Sequence, residues 1–342
     1  MKRMILPLII LLLIMTASVI SFPRLSVEHG VNCINCHINP TGGGMRNEFG
    51  NYSVALNELC LPQTKKHFIK RYKQPRLSES VLFGFDTRHL VFDDLRVFRM
   101  QTDIFLNVEP LKNIFYHIRF WENGISEHYA LLYFNKKKYF VKAGRFYPSF
   151  GLRNADHKAF NRERTGHGSN VYLDGLSAGA EINGGIITAE IFNPNQRGVY
   201  GLHMFKGSYI GNMGYLLGAS LRLSEEINGS NGTFPHVKAV FGGLSYDRFT
   251  LMGELDLEGQ SNDTLITYAN LTTRIEYGLY IITEYNFFDG NRHLSEGVDE
   301  LVRFSIELYP MPFFQLRPSY TYYTRGYREN EDDFFLMIHF GY

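Results

Sequence analysis

An alternation of apolar and polar residues with a period of two runs through most of the chain from about Leu77 onward. Between Phe249 and Glu258, for example, Leu251 and Leu255 oppose Glu254 and Asp256. Successive side chains of a β-strand point to opposite faces, so the pattern predicts strands with one apolar face and one polar face. Roughly sixteen such strands are predicted, near residues 80–91, 96–108, 113–122, 127–135, 138–147, 171–182, 185–193, 200–207, 213–223, 236–245, 248–258, 265–275, 278–287, 300–309, 312–323 and 332–342.

The connections between these strands alternate between tight turns and long loops. Asn183-Gly184 and Tyr246-Asp247 form tight turns, whereas residues 148–170 and 224–235 form long connections. Short turns on one side, long loops on the other and an even strand number are typical of outer-membrane barrels. The chain also ends on an aromatic residue, Tyr342, after an amphipathic strand, which is a further feature of such barrels.

We therefore predict an all-β fold, a transmembrane antiparallel β-barrel of about 16 strands, over residues 75–342. Without a helix, only a closed barrel satisfies every backbone hydrogen bond in lipid. The apolar face would contact outer-membrane lipid and the polar face would line the lumen, where charged residues would pair across the interior. The alternative is a large soluble sheet protein, which would have to bury its apolar faces against one another.

Residues 1–21 have the features of a secretory signal peptide. Lys2 and Arg3 are followed by the apolar run 5–14, and a small residue, Ser21, precedes Phe22. This pattern predicts an exported chain that begins near Phe22, in agreement with a location in the outer membrane of a Gram-negative bacterium. The net charge of +1 argues against a nucleic-acid partner.

Residues 22–74 form a distinct segment that contains the motif Cys33-Ile34-Asn35-Cys36-His37. Two cysteines three apart, followed at once by histidine, are the attachment signature of a c-type haem. On one helical turn, Cys33 and Cys36 share a face and can both reach the vinyl groups of one porphyrin. His37 can then ligate the iron as the proximal ligand. The motif occurs once, so one covalent haem c is predicted.

A CxxC pair has other uses, namely a disulfide, a redox dithiol or half of a zinc site. The chain has no second CxxC to complete a zinc site, and its third cysteine, Cys60, stands alone. The adjacent histidine is required by a haem and not by a disulfide. Cys60 is expected to be a buried or free thiol without a catalytic role.

The segment continues with Asn39-Pro40-Thr41-Gly42-Gly43-Gly44-Met45-Arg46-Asn47, where three glycines after a proline predict a tight loop beside the macrocycle. Met45 is a candidate distal iron ligand, or it packs against the porphyrin edge. Arg46 is a candidate partner of a haem propionate, or a solvated turn residue. Four histidines are further candidates for the distal ligand: His29, His67, His117 and His339. A water molecule, or no ligand, on the distal side of the iron is the remaining alternative.

Phe22-Pro23-Arg24, the CxxCH motif and the run 39–47 together resemble the N-terminal signature of fused monohaem cytochrome–porins. The stretch 141–148 also resembles a strand of phosphate-selective porins. The resemblance implies a c-haem segment that plugs or caps an outer-membrane barrel, either on the periplasmic side or within the barrel. The best-known members are outer-membrane iron oxidases, so it implies Fe(II):cytochrome c oxidoreductase activity as the leading specific reaction. This chain is shorter than typical iron-oxidase members.

A barrel with one covalent haem predicts an electron conduit between an extracellular donor or acceptor, such as iron, and a periplasmic c-type cytochrome. Two alternatives stay open: a solute-selective porin with a haem-bearing gate or sensor, and a haem protein with peroxidase-like or ligand-binding chemistry. Acidic runs at 296–300 and 329–333 are either a metal-collecting site or solvated loops.

Overall fold

The structure of the protein is a computed structural model, which describes residues 23–70, 72–73, 76–121, 124–154, 156, 158–168, 171–193, 198–224, 236–259, 263–294, 297–326 and 328–341. The predicted signal peptide, Phe22, Glu296 and Tyr342 lie outside these residues.

The described residues form seventeen strands, which are joined by short turns and longer loops. They are β1 Arg76–Ser78, β2 Val81–Phe92, β3 Val97–Leu111, β4 Ile114–Trp121, β5 Gly124–Phe134, β6 Tyr139–Phe146, β7 Leu173–Ile182, β8 Gly185–Phe192, β9 Val199–Ile210, β10 Met213–Ser224, β11 Val237–Tyr246, β12 Phe249–Glu258, β13 Thr264–Glu276, β14 Leu279–Asp289, β15 Val298–Met311, β16 Phe314–Arg325 and β17 Asp332–Gly341.

Strands β2 to β17 form one closed antiparallel barrel. Each strand pairs with its neighbour in sequence, and β17 pairs with β2, with Phe340 opposite Thr87. The short strand β1 lies outside this circle and pairs with the beginning of β2. Of the 17 strands, all but β1 belong to the barrel, which therefore has 16 strands. This confirms the predicted fold class.

The outer surface of the barrel is apolar, as the period-two pattern predicts. In β12, Leu251 is 52% exposed whereas Thr250 is 1% exposed, because neighbouring side chains point to opposite faces of the wall. Outward Leu, Ile, Phe and Tyr side chains recur around the barrel, which suits contact with lipid. No helix within the described ranges is both long and apolar enough to cross a bilayer.

The two ends of the barrel differ in their connections. At one end, hereafter the short-turn end, the strands are joined by tight turns such as Asn183-Gly184 and Asp247-Arg248, where Asn183 and Asp247 have positive φ. At the other, the long-loop end, the longer connections include 147–172, 225–236 and 290–297. The N-terminal end of β2 and the C-terminal end of β17 both lie at the short-turn end.

The N-terminal segment, residues 23–70, occupies the lumen at the short-turn end. It contains helix α1 Pro23–His29, a 3-10 turn Cys33–Asn35, a π-helical turn Gly50–Ala55 and helix α2 Pro62–Ile69. Helix α1 packs against β9 to β12. Asn32 Nδ2 donates to Gly184 O at 2.6 Å, and Leu61 N donates to Tyr309 O at 3.0 Å.

A second segment enters the lumen from the long-loop end. Residues 147–172, hereafter the inward loop, contain the short helix α3 Phe160–Glu163. Phe160 N donates to Asn286 Oδ1 at 2.8 Å, and Leu152 N donates to Glu254 Oε2 at 2.6 Å. The two segments meet, since the Arg153 guanidinium donates to Gly42 O.

The expectation of a polar lumen is only partly right. Charged residues do pair inside, as Arg317 and Glu284 show at 2.7 Å. The part of the wall that faces the N-terminal segment is instead apolar and largely aromatic, and it forms one buried cluster with Val27, Ile38 and Met45. This part of the wall is apolar because it packs against another segment of the chain and not against water. Its main members are Phe105, Tyr129, Leu131, Phe140, Ile186, Phe205, Leu216, Phe241, Met252 and Tyr268.

Candidate functional site

The CxxCH motif forms one tight turn. Cys36 N donates to Cys33 O at 3.1 Å, and His37 N donates to the same oxygen at 2.9 Å. This turn brings Cys33, Cys36 and His37 to the lining of one cavity. None of the three cysteines is in a disulfide.

The glycine-rich loop folds back beside the motif, as predicted. His37 pairs with Arg46 as an isolated antiparallel bridge, and Ile38 N donates to Met45 O at 3.0 Å. Gly43 has φ of +68° and lies so close to Arg153 that a Cβ atom would be 2.4 Å from the guanidinium carbon. A side chain at this position would therefore be strained and would displace Arg153.

Asn47 fixes the motif from the far side of the loop. Its backbone N donates to Cys36 O at 2.9 Å, and its Nδ2 donates to Asn35 O at 2.9 Å. Its Oδ1 accepts from Gly50 N at 2.9 Å. This role was not predicted, and the signal that could have indicated it is the position of an amide residue directly after the loop.

The cavity lies between the N-terminal segment, the inward loop and the wall. Its lining includes the motif residues, Arg46, Arg153 and the wall residues His203 and Phe241. It measures about 60 Å³, well below the roughly 300–1,000 Å³ of a typical small-molecule site. A macrocycle can therefore bind only if side chains that line the cavity move aside. The longest lining side chain on the inward loop is that of Arg153, which reaches across to Gly42 O.

Burial controls the charge state of the motif. It raises the pKa of the Cys33 thiol to about 12 and that of the Cys36 thiol to about 11. Both sulfurs are therefore neutral at pH 7, and a thioether, which carries no charge, suits the same surroundings.

Burial also keeps the His37 imidazole neutral. It lowers the His37 pKa to about 3, with further lowering by the positive charges of Arg46 and Arg153. A neutral imidazole is the form that binds a metal. Backbone groups of Gly43 and Gly44 hydrogen-bond to the ring, whereas Nδ1 is buried without a hydrogen-bond partner among the described residues. One nitrogen held by backbone and the other unpartnered is the arrangement of a metal-ligating histidine.

These observations fit a covalently attached haem. Two neutral sulfurs, one neutral imidazole with an unpartnered nitrogen and an apolar wall share one cavity. The residues that would hold the group are Cys33, Cys36 and His37, and their role as haem ligands stays a prediction.

The two further predicted site residues lie in different surroundings. Arg46 lines the cavity and is 3% exposed, and burial lowers its pKa. A propionate partner at this position stays a prediction. Met45 is 2% exposed and belongs to the apolar cluster on the wall. It is not among the residues that line the cavity, so its contacts resemble the packing alternative more than the ligand alternative.

The other histidines considered from the sequence lie away from the cavity lining. His29 binds Glu58 at 2.9 Å, and His339 contacts Gln315 at 3.0 Å. His67 packs edge-on against Phe68 on α2. His117 stacks on Tyr129 at 5.0 Å, and its ring is 3.9 Å from where a Cβ of Gly44 would lie.

Among the cavity residues that sequence reasoning missed are His203 and Arg153. His203 lies on the lumen face of β9 and is 4% exposed. Arg153 lies on the inward loop, which is distant from the motif in sequence. The alternation of β9 alone could have placed His203 inward, but only the folded loop brings Arg153 to the motif.

A larger cavity opens at the long-loop end. It measures about 650 Å³ and is lined by the inward loop and by strands β2 and β15 to β17. Arg164 binds Asp299 there at 2.6 Å, and Arg303 binds Asp156. Residues 151–153 line the motif cavity, and five other residues of the same loop line this outer cavity: Asp156, Lys158, Phe160, Glu163 and Arg164. The inward loop is therefore the partition between them.

The acidic loops bind arginines of the same chain. Asp333 and Glu331 bind Arg328 at 2.8 Å and 2.7 Å, and Asp299 binds Arg164. In the part of the chain that the structure describes, no group of three or more His, Cys, Asp or Glu side chains could hold a metal ion. The fully buried Cys60 thiol lies 3.1 Å from Thr64 Oγ1.

No family model matches the chain, and no curated protein matches it. Solved structures of outer-membrane proteins do match. OmpT of Vibrio cholerae has a TM-score of 0.55 at 12% identity, over 78% of this chain and 99% of that chain. OmpF of Salmonella typhi, in complex with daunomycin, has a TM-score of 0.57 at 12% identity, over 77% and 97%.

OprB of Pseudomonas putida at low pH has a TM-score of 0.57 at 9% identity, over 77% of this chain and 93% of that chain. At these identities the likeness shows the fold alone. The chain has the fold of outer-membrane β-barrels, which is the fold predicted from its alternation.

Proposed function

We propose that this protein is an outer-membrane electron conduit in which one covalent haem sits inside the short-turn end of a closed barrel. The observation that carries the proposal is the position of the CxxCH turn, whose two sulfurs and imidazole face one cavity inside the barrel. A haem attached there would lie within the insulating thickness of the membrane rather than beside it. When bound, the haem supplies a one-electron carrier at that depth.

The orientation follows from the connections. In barrels of this kind, short turns face the periplasm and long loops face the outside. The N-terminal segment would then plug the barrel from the periplasmic side, and the outer cavity of about 650 Å³ would face the extracellular medium. Only a few residues of the inward loop would then lie between the haem and an extracellular redox partner in the outer cavity.

The chain's own residues have three tasks in this proposal. Cys33 and Cys36 hold the macrocycle by thioethers, so it cannot escape to either side. His37, kept neutral by burial, offers a nitrogen to the iron. The aromatic wall, with Phe205 and Phe241 near the site, excludes water and lowers the local dielectric, which tunes the reduction potential.

The periplasmic partner is expected to present an acidic surface. Exposed lysines surround the short-turn end on α2 and on the β5–β6 turn, with fewer exposed acids nearby. An excess of one charge steers a partner of opposite charge and makes its association rate depend on salt. The lysines are Lys66, Lys70, Lys136, Lys137 and Lys138. A c-type cytochrome with an acidic face fits this surface.

On the outer side, Fe(II) stays the leading candidate donor through the resemblance to cytochrome–porins. The acidic side chains at this end are paired with arginines, so we expect iron to reach the outer cavity without a dedicated multi-carboxylate site.

A second candidate function is a solute porin in which the N-terminal segment is a haem-bearing gate. The likeness of the fold to porins favours it. The conduit is preferred because both the N-terminal segment and the inward loop fill the lumen, which opposes the passage of solutes.

The test uses purified protein in liposomes that enclose ferricyanide, with Fe(II) added outside only. A conduit reduces the enclosed ferricyanide and passes through a reduced haem spectrum. The double variant Cys33→Ala/Cys36→Ala should fold and transfer nothing beyond empty liposomes. Equal rates in this variant and the wild type would mean that the reagents leak through the lumen, which is the porin outcome. Haem reduction without reduction of the enclosed ferricyanide would contradict the conduit, and so would a wild-type protein that carries no covalent haem.

A further inference from the structure

His203 shares the motif cavity with His37, and these are the two histidines in its lining. His203 lies on β9, on the wall of the barrel, whereas His37 belongs to the N-terminal segment. A group held between the segment and the wall would therefore meet one imidazole from each side.

The His203 ring is held in a fixed orientation. Its plane stacks on Phe241 at 5.5 Å with an angle of 12°, and it contacts Phe205 at 5.3 Å. His203 Nδ1 is 2.8 Å from Ser220 Oγ, and Ser220 lies directly opposite His203 on β10.

Ser220 is itself held by the inward loop. Its Oγ accepts from Gly151 N at 2.9 Å, so the hydroxyl that bonds His203 Nδ1 has a fixed position. Because Nδ1 bonds Ser220, Nε2 is the His203 nitrogen left for a ligand in the cavity. A metal-ligating histidine normally has its other nitrogen held in this way.

We propose that His203 would provide a second imidazole ligand to the iron of the proposed haem, with Ser220 as the positioning residue that holds its ring. The inference rests on the proposed haem attachment at Cys33 and Cys36. It replaces Met45 as the distal ligand, because Met45 packs in the apolar cluster and does not line the cavity. The iron would then have two imidazole ligands, one from the N-terminal segment and one from the wall, so the ligation also fastens the segment to the barrel.

The test compares ferric-haem spectra of the wild type with those of three variants: His203→Ala, Met45→Leu and His117→Gln. Two strong-field ligands give a low-spin spectrum by optical absorption and electron paramagnetic resonance. We expect the wild type, Met45→Leu and His117→Gln to be low-spin, and His203→Ala to be high-spin. Added imidazole should restore the low-spin spectrum of His203→Ala, which a merely unfolded variant would not allow.

A second measurement tests the role of Ser220. The variant Ser220→Ala should stay low-spin but shift the reduction potential, and Ser220→Thr, which keeps the hydroxyl, should restore it. A low-spin His203→Ala protein would overturn the inference, as would loss of the low-spin spectrum in Met45→Leu or His117→Gln. Haem that stays covalently bound after denaturation tests the attachment itself. A wild type without covalent haem refutes both proposals. Covalent haem together with an unchanged spectrum in His203→Ala refutes only the role of His203.

Discussion

The two segments that close the lumen are held by different interactions. The N-terminal segment rests mainly on apolar contacts, with hydrogen bonds and a buried ion pair beside them, since Val27 is fully buried in the apolar cluster and Arg24 binds Glu307 at 2.7 Å. The inward loop is held mainly by carboxylates of the wall. Glu190 accepts from Ser149 N at 2.8 Å, and Glu254 accepts from Leu152 N at 2.6 Å.

The difference shows that the lumen has two kinds of wall. The apolar wall suits a flat, mostly apolar group held beside the N-terminal segment, whereas the polar wall suits a peptide loop with exposed N–H groups. The candidate site lies where the two meet, at the contact of Arg153 with Gly42. Four changes separate the contributions of the two segments.

The largest effect is expected from Cys36→Ala, which removes one of the two proposed thioether links between the N-terminal segment and a haem. We expect weak, single-thioether attachment in this variant and complete loss of covalent haem in Cys33→Ala/Cys36→Ala. Cys60→Ala is the matched control, because Cys60 lies in the same segment but away from the cavity. Haem staining of denatured protein measures the outcome. Loss of haem in Cys60→Ala would contradict the assignment of the site.

The next effect concerns the buried ion pair of the N-terminal segment. Both side chains are nearly inaccessible, at 3% and 1%, and removing one partner of such a pair typically costs about 3–5 kcal/mol. Arg24→Ala should therefore loosen α1, with faster hydrogen exchange in residues 23–36 and unchanged exchange in the inward loop. Arg96→Ala, at an exposed pair, is the control. Hydrogen exchange in Arg24→Ala as slow as in the wild type would mean that the apolar contacts alone hold α1 in place.

Glu254→Ala tests the inward loop in the same way. It removes the acceptor of Leu152 N and of Asn161 Nδ2, at 2.6 Å and 2.7 Å, and a buried donor left without a partner costs about 1–3 kcal/mol. Exchange should rise in residues 149–162, and less so in Glu254→Gln, which keeps an oxygen. Because the segments block the lumen in series, we expect ion conductance to rise only in Arg24→Ala/Glu254→Ala. A rise in Glu254→Ala alone would show that the N-terminal segment does not block the lumen.

The smallest effect is the pH dependence of the N-terminal segment. The hydrogen bond and negative charge of Glu58 raise the pKa of His29, against the effects of burial and of Arg274. The pair therefore stabilises the segment fully below the unfolded histidine pKa of about 6.5. This stabilisation is lost as pH rises through the higher folded value. For a partly exposed pair, we expect at most about 1 kcal/mol. Hydrogen exchange of residues 23–36 between pH 5 and pH 9 should show this dependence in the wild type and not in His29→Gln.

Most of the barrel could be predicted from the sequence, because each strand has its own alternation and its own turns. The strand near 248–258 is an example, since Leu251 and Leu255 point outward and Glu254 and Asp256 inward. The departures are inward apolar residues such as Met252 and Phe205. The alternation predicts that these residues point into the lumen. It does not explain why they are apolar, because that depends on what fills the lumen.

The sequence alone determined the local features of this protein: the strand faces, the short-turn end and the CxxCH turn, each of which depends on residues a few positions apart. Tertiary structure decided which distant groups meet at that turn. Asn47 is near enough in sequence to suggest a contact, whereas Arg153 and His203 are far from His37 along the chain. They reach its cavity only because the barrel closes and two segments fold into it, and no local pattern encodes which lumen-facing side chain lies at that depth.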